Sequence, residues 1–211
     1  YMYGDKDGTT FDEVHNNTNN STIKTSVDNW YKTNIADKGY GSYISNAVGF
    51  CGDRSLPAGV WGTNDNGDGI NNNKSSFFGA YVRYVKNVAQ FTCPEPSRDL
   101  YTTTDSSIGN KALTYPVGLI TYDELVFAGM DNRHINKLSW AYSTQHYWTM
   151  SPSYFDAAHG AAVEWYLYSA GFLNPWAWVT VSSGARPVIN LKSDTLITSG
   201  IGTSSDPFVV G

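Results

Sequence analysis

The first clear hydrophobic rhythm begins at Thr22. Ile23, Val27, Trp30, Tyr31 and Ile35 recur at helical spacing through Lys38, which predicts a helix with Trp30 and Tyr31 turned toward the core and Gly39 as its stop. Residues 1–21 are polar, end in Asn16-Asn17-Thr18-Asn19-Asn20-Ser21 and show no periodicity, so they read as an N-terminal loop. From Tyr40 to Gly118 the pattern weakens. Gly, Pro and Asn punctuate short runs such as Ala47-Val48-Gly49-Phe50 and Ala80-Tyr81-Val82-Arg83-Tyr84, which predict irregular structure with a few short strands. Tyr115 to Ile120 reads as a short buried strand. Thr121-Tyr122-Asp123-Glu124 then has capping-box spacing and opens a second helix to about Ala128, ended by Gly129.

Beyond Gly129 the chain is β in character. Tyr147 to Met150, Ala161 to Tyr168, Trp176 to Val181, Arg186 to Leu191 and Pro207 to Val210 are β-branched or aromatic runs separated by Gly, Pro, Asn and Ser. The fold class expected is α+β, with two helices packed on short antiparallel strands and much irregular structure. Alternation divides the Ala161 to Tyr168 strand: Val163, Trp165 and Leu167 are assigned to the core, Glu164, Tyr166 and Tyr168 to solvent.

Composition narrows the partners. A chain of 211 residues, 41% hydrophobic and without a composition shift, is expected to form one domain over residues 1–211. Its formal charge of −5, with no Lys/Arg run, argues against nucleic acid. No apolar run approaches the roughly 20 residues that span a bilayer, and the opening Tyr1-Met2-Tyr3-Gly4 is not a signal sequence. Only 16% of residues are charged while 15% are aromatic, so solubility rests on Asn, Ser, Thr, Tyr and Gly, a balance that suits an exported protein. Cys51 and Cys93 lack CxxC spacing, and only four His accompany them, which disfavours a metal or redox motif. A structural disulfide between them is the preferred reading and two buried free thiols the alternative; the disulfide would constrain the unfolded chain by about 4 kcal/mol.

Several stretches carry a family resemblance: Phe50-Cys51-Gly52-Asp53-Arg54-Ser55, Phe91-Thr92-Cys93-Pro94, Asn110 to Thr121, Tyr147 to Pro152 and Gly184 to Leu191. From about Asn29 onward the chain resembles the extracellular domains of bacterial prepilin-like surface proteins. That resemblance implies a C-type-lectin-like globular part, an extracellular, surface or pilus location, pilus subunits as partners, and an N-terminal hydrophobic anchor, which residues 1–211 are expected not to include. The Gly184 to Val188 segment is also similar to the formylglycine-generating branch of the fold. No cysteine follows Cys93, however, so that branch's catalytic cysteines have no counterpart. The same scaffold hosts proteins varied by diversity-generating retroelements, and the layout of Tyr154 to Val181 before Gly184 to Leu191 is similar to theirs.

The candidate ligand-binding residues are Tyr154, Asp156, His159, Glu164, Tyr166, Tyr168, Phe172, Asn174, Trp176 and Trp178. Large amphipathic rings at this density offer contact area at low entropic cost, as recognition surfaces do. Phe172, Pro175, Trp176 and Trp178 read as lying around a turn, where exposed rings imply a ligand; the alternative is that they cover the domain's own core. Trp148 and Met150 read as core, and Arg186 as a structural charge held by a carboxylate or backbone carbonyls. Asn64, Asn66 and Asp68 sit at calcium-loop positions, but Ser75 replaces the bidentate Glu, so an Asn/Gly turn is the preferred reading and no cofactor is expected. Asp156 and Glu164 could in principle act as a glycosidase pair, but nothing in their spacing supports that over chance. The expectation is a non-catalytic surface domain that binds a protein or glycan; the alternative is a pilin-like subunit using the same patch for assembly.

Overall fold

The computed structural model describes residues 3, 4, 7, 17, 19–56, 76–156, 158–203 and 205–211. Helix α1, Thr22–Tyr31, begins where Ser21 Oγ accepts the Lys24 N–H at 3.1 Å. It buries Val27 and Tyr31 and packs Trp30 against the same cluster. A π-helical turn, Lys32–Ala36, prolongs it, and Gly39 ends it at φ 77°, a left-handed position that glycine adopts without a Cβ penalty.

The weakly patterned middle of the chain holds β1 (Phe50–Cys51), β2 (Ser76–Phe77), α2 (Gly79–Lys86), α3 (Pro96–Asp99), β3 (Leu100–Tyr101) and β4 (Gly118–Leu119). The run Ala80 to Tyr84 is therefore helical rather than a short strand. Ala80, Tyr81, Tyr84 and Val85 line one helical face against the sheet, whereas five residues alone satisfy either period. Helix α4, Tyr122–Phe127, carries the predicted capping box: Thr121 Oγ1 accepts the Glu124 N–H at 3.1 Å, and Glu124 Oε2 accepts the Thr121 N–H at 2.8 Å. Among the described residues four α-helices thus stand where two were expected.

The chain is α+β. Its main sheet contains β2, β5 (Tyr147–Asp156), β6 (Ala161–Tyr168) and β7 (Phe172–Trp178), in the order β2-β5-β6-β7, every pair antiparallel. Its two faces bury separate clusters. On one, Trp148, Met150 and Ala177 meet Val27 and Tyr31 of α1; on the other, Tyr147, Trp165, Leu167 and Leu173 meet Tyr81 of α2 and Tyr122 and Leu125 of α4. Two-stranded ribbons pair β1 with β3, β4 with β8 (Pro187–Val188), and β9 (Ile197–Ser199) with β10 (Val209–Val210).

Where periodic hydrophobics are scarce, covalent and charged cross-links hold the chain. Cys51 and Cys93 are disulfide-bonded. Arg83 of α2 bonds Asp53 and Asp123, each at 2.6 Å, and Arg54 Nε donates to Asp99 Oδ1 at 2.8 Å. Arg83 thereby ties α2 to α4 and to the segment after β1.

Candidate binding surface

Strand β7 is an edge of the main sheet, and its geometry sets out the aromatic residues singled out above. Asn174 pairs with Tyr166 and Ala177 with Glu164, so one extra residue of β7 is accommodated opposite Trp165. This bulge falls at Pro175 and Trp176. Pro175 has no N–H, and the Trp176 N–H donates to Asn174 Oδ1 at 2.8 Å. The bulge turns Trp176 toward the face of Trp178, away from Asn174. Phe172, Pro175, Trp176 and Trp178 therefore lie on a strand, not around a turn; the turn precedes them at Ser169–Gly171.

Trp176 is 54% exposed and Trp178 44% exposed. Trp176 is seated edge-on against Tyr81, Tyr154 and Phe77, with ring centroids at 5.6, 6.2 and 6.4 Å. Trp178 has the His159 ring at 5.5 Å. His159 is oriented by Asp156, whose Oδ2 lies 2.7 Å from Nδ1, within the turn linking β5 to β6. Tyr154, Asp156, His159, Trp176 and Trp178 thus gather at one end of β7 on one face.

The remaining rings form a second group on the opposite face. His146 stacks on Tyr168 at 4.4 Å, Tyr168 meets Phe172 at 5.1 Å and Tyr166 at 6.0 Å, and Tyr166 meets Trp148 at 6.0 Å. The Ser169 N–H donates to His146 Nδ1 at 3.0 Å, so that nitrogen is an acceptor. Trp148 and Met150 are core residues as expected, and Arg186 donates to the carbonyls of Ala141 and Trp140.

Glu164 corrects the expectation of a solvent-facing carboxylate. It is 1% exposed. Alternation puts it on the face opposite Trp165, but the chain leaving β7 runs back across that face to the far edge of β5. There the Gly184 N–H donates to His146 O at 2.9 Å, and the Trp148 N–H donates to Gly184 O at 3.0 Å. Burial pushes the Glu164 carboxyl up to about 7. Beside it is a cavity of 550 Å³, lined among others by Ser21, Trp148, Thr180 and Ser183. A second, of 380 Å³, is lined by rings of both groups, His146, Trp148 and Tyr166 together with Trp176 and Trp178, and shares residues 181–183 with the first. Neither is lined by Lys or Arg among the described residues.

No family model, curated protein or solved structure matches this chain.

Among the described residues no cluster of three His, Cys, Asp or Glu side chains is placed to hold a metal ion. The weak calcium candidate, Asn64, Asn66 and Asp68, lies outside the described residues. No helix among the described residues is long and apolar enough to cross a membrane. Sequence reasoning missed Phe77 and Tyr81, which seat Trp176, and His146, which stacks on Tyr168. The dense aromatic composition was their only sequence signal.

Proposed function

We propose that this chain is a non-catalytic binding domain whose ligand surface is built around Trp176 and Trp178. The observation that carries the reading is that two tryptophans stand half-exposed on one edge strand while Phe77, Tyr81 and Tyr154 fix the first of them. Exposing such area costs hydration free energy, and holding it rigid removes the entropy that binding would otherwise have to supply. His159 and Asp156 add a polar rim to an apolar centre, the usual composition of a recognition patch. The ligand class is a protein or a glycan. The bonded Cys51–Cys93 pair supports an oxidising, extracellular setting. The α+β arrangement, with helices on both faces of an antiparallel sheet, is compatible with the C-type-lectin-like family and with retroelement variation of Tyr154 to Val181.

The pilin-like alternative uses the same patch for assembly. The β7 edge favours side-chain recognition over strand addition, because Pro175 offers no donor and the Trp176 N–H is already bonded to Asn174.

The test is to screen the chain against arrays of oligosaccharides and of extracellular protein domains, then repeat any hit with Trp176→Ala and Trp178→Ala. A hit lost in both variants, with melting temperature nearly unchanged, supports binding through this surface. A hit indifferent to both overturns the assignment. Self-association of the parent chain, lost in both variants, supports the assembly alternative.

A further inference from the structure

A second exposed apolar feature lies in the loop between α4 and β5. Ile135, Leu138 and Trp140 are 63%, 98% and 66% exposed. Three large apolar side chains so close in sequence are costly to leave in water unless something covers them.

The loop is not loose. Buried Met130 and Ala141 anchor its ends. Asn136 Nδ2 donates to Gly129 O at 2.8 Å, while its Oδ1 accepts the N–H groups of Leu138 and Ser139. Ser139 Oγ donates to Ala128 O, the Asn136 N–H donates to Gly171 O, and the Arg133 N–H donates to Asp131 Oδ1. Arg186 holds the Trp140 carbonyl from behind, with its guanidinium 5.6 Å from the Trp140 ring. Asn136 and Ser139 thus bond within the fold, while Ile135, Leu138 and Trp140 remain exposed.

The charge beside these tips is positive on a chain that is acidic overall. From residue 131 to 146 the only acidic residue is Asp131, and its Oδ2 is bonded to His134. Arg133 and Lys137 are exposed next to Ile135 and Leu138.

We propose that the loop 131–140 docks on an anionic lipid surface, with Ile135, Leu138 and Trp140 entering the headgroup–acyl boundary and Arg133 and Lys137 meeting the phosphates. Charge complementarity selects an anionic partner. The N–H groups of Arg133, Asn136, Leu138 and Ser139 are already bonded within the fold, which lowers the cost of bringing this stretch of backbone to a lipid boundary. Indole at such a boundary matches the preference of Trp for interfaces. This contact is independent of the Trp176 and Trp178 patch.

The experiment sediments the whole chain with vesicles of phosphatidylcholine alone and of phosphatidylcholine with roughly one-third phosphatidylglycerol. Partition onto the anionic vesicles is expected to exceed that onto neutral ones by about tenfold and to weaken at high salt. The double variant Ile135→Ser, Leu138→Ser is expected to lose roughly tenfold while keeping its melting temperature, because both side chains are exposed. Absence of partition onto either vesicle, or partition indifferent to the double variant, overturns the proposal. So does capture by an immobilised acidic protein domain that the double variant loses while the parent ignores vesicles, which would make the loop a protein contact.

Discussion

Replacing Glu164 by Gln tests how the covered face of β6 is built. The carboxyl is fully enclosed, and burial raises it from 4.5 to about 7. An acid whose folded value lies above its unfolded one keeps its proton longer in the folded state, so folding is favoured at low pH and loses stability as pH rises. The loss begins near 4.5, where the unfolded chain starts to ionise, and is complete just above 7, where the folded chain follows. At about 1.4 kcal/mol per pH unit, the interval amounts to roughly 3 kcal/mol. Gln has nearly the shape of the protonated acid and does not titrate. The stability of Glu164→Gln relative to the parent should therefore rise by roughly 3 kcal/mol between pH 4.5 and pH 8, or roughly 6–12 °C in melting temperature for a chain of this length. Urea unfolding at half-unit intervals from pH 4.5 to 8 reads the difference directly. Parallel stability curves, or a variant that loses ground as pH rises, would refute the claim that an enclosed, proton-retaining carboxyl sits under the segment joining β7 to β5.

Two further perturbations probe the cross-links of the irregular region. Arg83→Met should cost about 3–5 kcal/mol near pH 7, because it strands the carboxylates of Asp53 and Asp123, and adding Asp123→Asn should recover part of it; chemical denaturation measures both. Replacing Cys51 and Cys93 together by Ser should remove about 4 kcal/mol for a loop closed across 42 residues, read as a lower urea midpoint that no longer responds to reductant.

The elements legible in the sequence were those in which one local rule sufficed. Spacing of 3.6 located α1 and a glycine closed it; the Thr121 and Glu124 pair opened α4; an apolar and aromatic run between Gly160 and Ser169 bounded β6 at Ala161 and Tyr168. Elements that depend on distant chain escaped. Ala80 to Tyr84 became helical because α2 lies across Trp165, a contact that five residues cannot announce. Glu164 shows the limit of alternation, which says which side chains share a face but not whether a later segment will cover it. The candidate rings divided for a related reason: the bulge at Pro175 and Trp176 breaks the period of two, so residues after it change face relative to a simple count. Trp176 and Trp178 thereby joined Tyr154 and His159, while Tyr166, Tyr168 and Phe172 joined His146.

The bulged edge of β7 has a bearing on how this surface can change over time. The side chains of Trp176 and Trp178 project from a strand paired on one side only, whose outer positions are closed by a proline and by a hydrogen bond to Asn174. Replacing either indole leaves that ladder intact and opens no donor row for a neighbouring molecule to pair with. Trp178 is therefore the easier of the two positions to vary without loss of register, whereas Trp176 also covers Phe77 and Tyr81. Pairing and exposed ring chemistry are thus written on different parts of the same strand, one in its backbone and one in its outward side chains.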